Sequence, residues 1–350
     1  MPQQFVRPLD QLRRTDEPQF GGKSANLGEL LAAEIPVPPG FALSTAAFEA
    51  FVHDAGLQDR INSALSGLSA GDVDGIGRAS HALSEAMRFA PVPEAVRREI
   101  AEGYAALGED SPPVAVRSSA VGEDSQDATF AGQQETYLWV RGAEPVCDAV
   151  RDCWVSLFSP PAISYRLRLG DRAQTPAMGV TVQSMVDAEV SGVMFTCNPV
   201  SGDPSMVAIN ASWGLGLAVV GGEVTPDDFL VSKVTREVVR EHVHAKDVQY
   251  VPDAGGNGAV RVAVPDDKCE RRCLDESALE RLVGVARNVE RHFGSHQDIE
   301  WALARDSDGE LFVVQTRPVT AVAKKKSEKP KAESALSLIM NTFGAGTPKD

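Results

Sequence analysis

The sequence is poor in cysteine, in aromatic residues and in long apolar runs. Its 350 residues include five cysteines in no paired framework, which favours reduced thiols in a cytoplasmic protein. No apolar run approaches the roughly 20 residues that a membrane-spanning helix needs. The segment Met1–Asp10 has neither the basic nor the apolar part of a secretory leader. We therefore predict a cytoplasmic protein with no membrane partner.

A net positive charge is also missing. Lysine and arginine total 34 against 49 aspartates and glutamates, so the formal net charge is −15. A diffuse acidic surface argues against nucleic acid as a partner, although it allows a local basic pocket. Apolar residues make up 43% of the chain, which is enough to build one large or two moderate domains.

The helical half and the strand-rich half of the chain differ in pattern. Helices are predicted for 45–55, with Thr45 as the cap, and for Ile61–Leu68, Gly75–Ala90 and Pro93–Leu107. Short strands cluster after residue 177, which places a subdomain boundary near residue 185. Residues 234–275 are polar and glycine-rich, and are predicted to be irregular. Glu276–Phe293 is an amphipathic helix that Asp275 can cap.

Residues 113–137 carry the first chemical pattern. An apolar run at 113–120 predicts a buried strand that delivers Arg117 and then two serines. A polar loop leads to a second predicted strand at 133–137. An arginine at the base of such a flap, with hydroxyls and glycine N–H groups along it, suits a phosphate chain. A solvated hairpin with a structural arginine explains the same pattern.

A lysine at a predicted helix start forms the second pattern. Gly22-Lys23-Ser24 lacks the glycine that a P-loop needs five positions earlier, where Glu17 stands. Lys23 can still meet phosphate, because the amides and the dipole of a helix N-terminus favour anions. A solvated lysine is the alternative.

The third pattern is a predicted hairpin near the end of the chain. Alternation over Gln297–Leu303 and over Leu311–Pro318 puts Glu300, Gln315 and Arg317 on one face. A carboxylate with an amide oxygen suits Mg²⁺, and an arginine beside them suits a phosphate. An ordinary hairpin with outward polar residues remains the alternative.

These segments closely resemble the ATP-binding domain of the phosphoenolpyruvate synthase and pyruvate phosphate dikinase family. The resemblance lies in residues 21–30, 117–136, 192–199, 210–216, 297–302 and 315–318. The family has glutamate where this chain has Leu217, which puts in doubt any contact that this glutamate makes.

The resemblance implies an α+β, ATP-grasp fold with ATP in the cleft between two subdomains. Residues 1–185 would form the first subdomain, with a flap at 117–137, and residues 186–320 the second. Residues 321–350 would be a flexible basic linker and a short apolar tail. ATP and Mg²⁺ are the implied ligands. The implied phosphate-binding and catalytic residues are Lys23, Arg117 and Arg317, the flap residues Gly132 and Thr136, the adenine-pocket residues Gln183, Met185 and Val186, and the Mg²⁺ ligands Glu300 and Gln315.

Family enzymes continue into a domain with a phosphorylatable histidine, and none of the six histidines here lies in such a motif. The resemblance therefore implies one subunit of a split dikinase-like phosphotransferase, which converts ATP to AMP and phosphate. It would phosphorylate a histidine-bearing partner subunit, and this partner would bind the small-molecule acceptor. Phenol is the favoured acceptor, because the phenylphosphate synthases look similar. The alternatives are another acceptor such as pyruvate or an antibiotic, a non-catalytic ATP-sensing module, and a part of a longer synthase.

Overall fold

The computed structural model describes residues 4–108, 111–121, 135–170, 177–256, 258–305 and 309–319. The helices in these residues are α1 (Glu17–Phe20), α2 (Gly22–Ala32), α3 (Thr45–Asp54), α4 (Gln58–Leu65), α5 (Val73–Phe89), α6 (Glu94–Ala105), α7 (Ala143–Ser156), α8 (Pro160–Leu169), α9 (Leu217–Val220), α10 (Asp266–Cys269) and α11 (Glu276–Phe293). The strands are β1 (Val6–Pro8), β2 (Gly40–Leu43), β3 (Val114–Ala120), β4 (Thr136–Val140), β5 (Met178–Ser184), β6 (Ala188–Phe195), β7 (Met206–Trp213), β8 (Asp227–Ser232), β9 (Val238–His242), β10 (Val248–Pro252), β11 (Ala259–Ala263), β12 (Gln297–Ala304) and β13 (Leu311–Pro318).

Two antiparallel sheets organise the molecule. The first has five strands in the order β1-β2-β5-β3-β4, and the second has six in the order β13-β12-β6-β7-β8-β9. A separate two-stranded hairpin joins β10 to β11. The protein is therefore a mixed structure of helices and antiparallel sheets, as the sequence predicts.

The first core packs helices against the five-stranded sheet. It buries apolar residues of α3, α5, α6 and α7 with those of β2, β3 and β5. The Trp154 indole, which is fully buried, stacks on Phe51 with ring centroids 5.1 Å apart. Phe158 is fully buried as well. Trp154 and Phe158 lie four residues apart in the sequence and both belong to this core.

The second core lies under the six-stranded sheet and includes a helix from the start of the chain. Apolar residues of α11 meet those of β6, β7, β8, β12 and β13. Leu27 and Leu30 of α2 belong to the same cluster, and α2 packs directly against β13. The division at residue 185 stays a prediction, but α2 contributes to the core of the second sheet.

Two predicted details of local structure are wrong and one is confirmed. Ser44 rather than Thr45 is the N-cap residue of α3, because Thr45 already has helical geometry. Residues 234–275 are not irregular: they form β9, β10, β11 and α10. Most of their side chains are exposed or partly buried, and the alternation of Val260, Val262 and Val264 is the signal that sequence reasoning overlooked. Asp275 does cap α11, since its carboxylate accepts a 2.7 Å hydrogen bond from the Ala278 N–H.

A buried ion pair anchors the segment after β9 to the second sheet. Asp227 and Lys246 are both fully buried, and the Lys246 ammonium donates to Asp227 Oδ1 over 2.5 Å. Asp227 also accepts hydrogen bonds from the backbone N–H groups of His244 and Cys273. One carboxylate therefore holds three residues that follow β8, namely His244, Lys246 and Cys273.

Several predictions fall on residues beyond those described. The polar loop of the flap, the turn at 306–308 and the predicted linker and tail at 321–350 lie outside the described residues.

The described residues show neither a membrane span nor a metal cluster. In the part of the chain that is described, no helix has both the length and the apolarity to cross a bilayer. All five cysteines are free, and the described residues contain no cluster of three or more histidine, cysteine, aspartate or glutamate side chains suited to a metal.

Candidate functional site

A cleft of about 380 Å³ lies between the two sheets. One wall comes from β3, β4 and β5, and the other comes from β6, β12, β13 and the segment around α9. Nine of the ten predicted site residues line it, namely Lys23, Arg117, Thr136, Gln183, Met185, Val186, Glu300, Gln315 and Arg317. The tenth, Gly132, lies outside the described residues. The structure thus brings these side chains to one place, while their roles stay predictions.

The β12–β13 hairpin supplies the polar end of the cleft. Asp298 pairs with Arg317 across the two strands, and Glu300 pairs with Gln315 two positions further on. Side chains directly opposite each other in an antiparallel pair have Cβ atoms about 4.5–5.5 Å apart. The predicted pairing that puts Glu300, Gln315 and Arg317 on one face is therefore confirmed.

Asp298, which sequence reasoning did not select, orients the arginine. Arg317 Nε donates to Asp298 Oδ2 over 2.8 Å, while the guanidinium is half exposed to the cleft. Burial raises the pKa of Asp298, and the adjacent Arg317 guanidinium opposes that shift. The other oxygen, Oδ1, is buried without a hydrogen-bond partner among the described residues. Its position on the same face as Glu300 is the signal that could have identified it.

Arg117 bridges the two sheets from the opposite wall. It lies in the middle of β3, and its Nη1 donates over 2.9 Å to the carbonyl oxygen of Val314 on β13. Burial lowers the pKa of the Arg117 guanidinium, and the Glu300 carboxylate counteracts this shift. Three cationic side chains, Lys23, Arg117 and Arg317, therefore line the cleft together with Glu300.

A close approach between α2 and the first sheet positions Lys23. The Ser24 N–H donates to Ser119 Oγ over 3.2 Å, and Ser24 Oγ lies 2.7 Å from Thr181 Oγ1. Lys23 Nζ donates to the carbonyl oxygen of Ser118 over 3.1 Å. The start of α2 is thus held against β3 and β5, with Lys23 in the cleft.

Gly21 makes this approach possible. Its φ is +78°, and a Cβ at this position would lie 2.0 Å from the Ser119 carbonyl oxygen. We expect Gly21→Ala to lower the free energy of unfolding by about 2–5 kcal/mol, since it combines a left-handed backbone with a backbone clash. It should also weaken binding of the ATP that the resemblance implies, because α2 must move away with Lys23. Urea denaturation and ATP titration measure the two effects.

Gly56 offers the matched control for this substitution. Its φ is +61°, but a Cβ there would meet nothing within 4 Å. Gly56→Ala therefore places an alanine at a positive φ without the clash, and should cost about 1–2 kcal/mol. Equal losses in the two variants would show that the approach of α2 to β3 is not tight.

The other end of the cleft is mainly apolar. Beyond the predicted Met185 and Val186, it is lined by Leu138, Ala188, Leu215, Leu217, Val220, Ala302 and Val314. The run Trp213-Gly214-Leu215-Gly216 belongs to a segment that resembles the family, but sequence reasoning did not assign it to the site. The apolar Leu217, where the resemblance leads one to expect glutamate, faces this cleft.

Ser191 holds the run Trp213–Gly216 in the wall of the cleft. Its hydroxyl donates to the carbonyl oxygen of Gly214 over 2.6 Å, and the Gly214 N–H donates to the carbonyl oxygen of Glu189 over 2.8 Å. Gly214 has a φ of +74°. The chain therefore turns sharply at the end of β7 and runs along the cleft as Leu215–Leu217.

The described residues thus form a domain of helices and antiparallel sheets with a cleft that is cationic at one end and apolar at the other. A family model described as pyruvate phosphate dikinase, AMP/ATP-binding domain, matches residues 17–337. The chain belongs to this family, which confirms the resemblance noted from its motifs.

Curated relatives carry related names. The chain is 41% identical over 346 residues to a probable phosphoenolpyruvate synthase of Methanocaldococcus jannaschii, covering 98% of this chain and 29% of that protein. It is 41% identical over 331 residues to a probable phosphoenolpyruvate synthase of Archaeoglobus fulgidus, covering 94% and 43%. The phosphoenolpyruvate synthase of Pyrococcus furiosus is 35% identical over 393 residues, with 99% and 48% covered. The chain spans less than half the length of each of these relatives.

Proposed function

We propose that this chain binds MgATP in the cleft and carries out the nucleotide half-reaction of a dikinase-type phosphotransferase. In the balanced reaction, ATP, water and a histidine give AMP, inorganic phosphate and phosphohistidine. The observation that carries the proposal is the convergence of Lys23, Arg117 and Arg317 with Glu300 at one end of a cleft whose other end is apolar. The apolar end suits a nucleoside, and the cations suit its phosphates. We assign the architecture to the ATP-grasp type on this basis.

Glu300 and Gln315 fit the Mg²⁺ that such a reaction uses. They face each other across β12 and β13, and both line the cleft. One carboxylate and one amide oxygen match the preference of Mg²⁺ for few protein ligands completed by substrate phosphates. When bound, the ion would neutralise charge on the phosphates of the nucleotide.

We propose that the phosphate acceptor is a histidine on a partner subunit. Histidines 53, 81, 242, 244, 292 and 296 are all described, and none of them lines the cleft. The partner would then pass phosphate to a small molecule that it binds itself. Phenol, giving phenylphosphate, is the first acceptor to test. Pyruvate is the second, because the relatives are named phosphoenolpyruvate synthase.

The test uses ATP labelled at the β-phosphate. The chain is incubated with Mg²⁺, with and without a candidate histidine-bearing subunit, and both AMP and protein-bound label are followed. We expect label on the partner histidine together with AMP, and transfer to phenol when it is added. Tight ATP binding without AMP under any pairing would refute catalysis. It would instead support a non-catalytic ATP-sensing module, for which Leu217 is the supporting feature.

A further inference from the structure

The β10–β11 hairpin contacts both walls of the cleft at its apolar end. On one side, the Leu215 N–H donates to the Tyr250 carbonyl oxygen over 2.9 Å. On the other side, the Gly258 N–H donates to the carbonyl oxygen of Trp139 on β4 over 3.2 Å. Leu215 lines the cleft directly, and Leu138, next to Trp139, lines it from the opposite wall. The hairpin therefore connects the two walls to each other.

Tyr250 makes several of these contacts at once. Besides its backbone bond to Leu215, its hydroxyl donates to Glu223 Oε1 over 2.8 Å. The Arg261 guanidinium of β11 donates to the other oxygen of Glu223 over 3.1 Å. The segment between Leu215 and Glu223 contains α9, from which Leu217 and Val220 line the cleft. Tyr250 thus holds this segment at both of its ends.

The Tyr250 ring also joins two small apolar clusters. One contains Trp139, Leu215 and Ala302 with Met185 and Val186 at its edge, and the other contains Ala218 of α9. Trp139 is buried with a φ of +59°, a conformation that a bulky residue keeps only where its surroundings hold it. The Gly258 hydrogen bond and the packing against the hairpin supply such surroundings.

We propose that the β10–β11 hairpin is a clamp that sets the width of the apolar end of the cleft, with Tyr250 as the residue that positions the α9 wall. The inference rests on the proposed function, in which the nucleoside occupies the apolar end. The cations and Glu300 lie at the other end, so the clamp acts on the nucleoside and not on the phosphates. A residue in a segment that the sequence predicts to be irregular thus helps to define the nucleotide site.

The experiment compares two ligands in the wild type and in Tyr250→Ala. ATP fills both ends of the cleft, whereas inorganic tripolyphosphate can engage only the cationic end. We expect Tyr250→Ala to raise the Kd for ATP about tenfold or more, since the wall that contacts the nucleoside is misplaced. The Kd for tripolyphosphate should stay within about twofold. The KM for ATP should rise with its Kd, while kcat falls less.

Two further variants separate positioning from general stability. Tyr250→Phe keeps the ring and loses only the bond to Glu223, so it should restore most of the ATP affinity. Phe89→Ala removes an exposed aromatic side chain at the end of α5 that does not line the cleft, and should leave both affinities unchanged. If Tyr250→Ala fails to fold, Tyr250→Leu removes the ring with a smaller loss of apolar volume, and the same rise in the ATP Kd with an unchanged tripolyphosphate Kd is expected.

The outcomes distinguish this inference from the proposed function. No ATP binding by the wild type would refute the proposed function and the clamp together. Normal binding by the wild type with an unchanged ATP Kd in Tyr250→Ala, even at a lower melting temperature, would refute the clamp alone. Equal weakening of ATP and tripolyphosphate would also refute it, because the defect would then not be confined to the apolar end.

Discussion

Replacing Arg317 by methionine is expected to lower the rate of AMP formation by about 10³-fold or more, because arginines that stabilise a transferring phosphoryl group contribute on this scale. The variant also leaves the buried Asp298 carboxylate without its guanidinium partner. ATP binding should weaken much less, since Lys23 and Arg117 remain in the cleft. Single-turnover AMP formation at saturating ATP measures the effect apart from affinity.

Two further variants test whether the loss of AMP formation is specific to the Arg317 guanidinium. Arg317→Lys keeps the charge but lacks the planar fork, so most of the activity should still be lost. Arg281→Met removes an exposed arginine of α11 that donates to the Gly309 carbonyl oxygen, and should leave the rate unchanged. If Arg317→Met retains more than about a tenth of the wild-type rate, Arg317 does not stabilise the transferring phosphoryl group.

The part of the site on β12 and β13 could be predicted from the sequence, because side chains alternate strictly between the two faces of a strand. With a period of two residues, alternation over Gln297–Leu303 and Leu311–Pro318 decides which side chains share a face. The register then brought Glu300 opposite Gln315. Asp298 obeys the same rule. It was missed because its role depends on burial beside Arg317, which only the packed structure shows.

The apolar wall could not be predicted in the same way. Leu215 and Leu217 are ordinary apolar residues in the sequence, and they reach the cleft through a turn at Gly214 that Ser191 and Tyr250 hold from two different strands. Contacts between residues so far apart leave no periodic pattern. The strands β9 and β11 were also missed. Val260 and Val262 do share one face of β11, but the side chains of both strands are exposed or only partly buried, and neither strand belongs to a main core.

Asp227→Ala is expected to lower the free energy of unfolding by about 3–5 kcal/mol, because it leaves the Lys246 ammonium buried without its counter-ion. Only the carbonyl oxygen of His244 remains as a described partner of that ammonium. The N–H groups of His244 and Cys273 lose their acceptor as well. Urea denaturation of the purified chain, followed by far-UV circular dichroism, measures the change.

Removing the lysine of this ion pair should lower the free energy of unfolding less than removing the aspartate. Lys246→Met leaves Asp227 with two backbone hydrogen bonds, and we expect a loss of about 1–3 kcal/mol. Arg236→Met breaks an ion pair with Glu280 whose side chains are 56% and 61% exposed, so it should cost at most about 1 kcal/mol. A loss in Asp227→Ala as small as that in Arg236→Met would mean that water reaches the pair.

The position of α2 in the second core has a consequence for synthesis on the ribosome. Asn26 of α2 donates to the carbonyl oxygen of Thr316 on β13, 290 residues later in the chain. At about 5–20 residues per second, the strand that covers this helix is made roughly 15–60 s after the helix itself. Throughout that interval Leu27 and Leu30 have no native cover from β13. The nascent chain therefore presents an apolar helix, the one that carries Lys23, to chaperones until almost the whole domain has emerged.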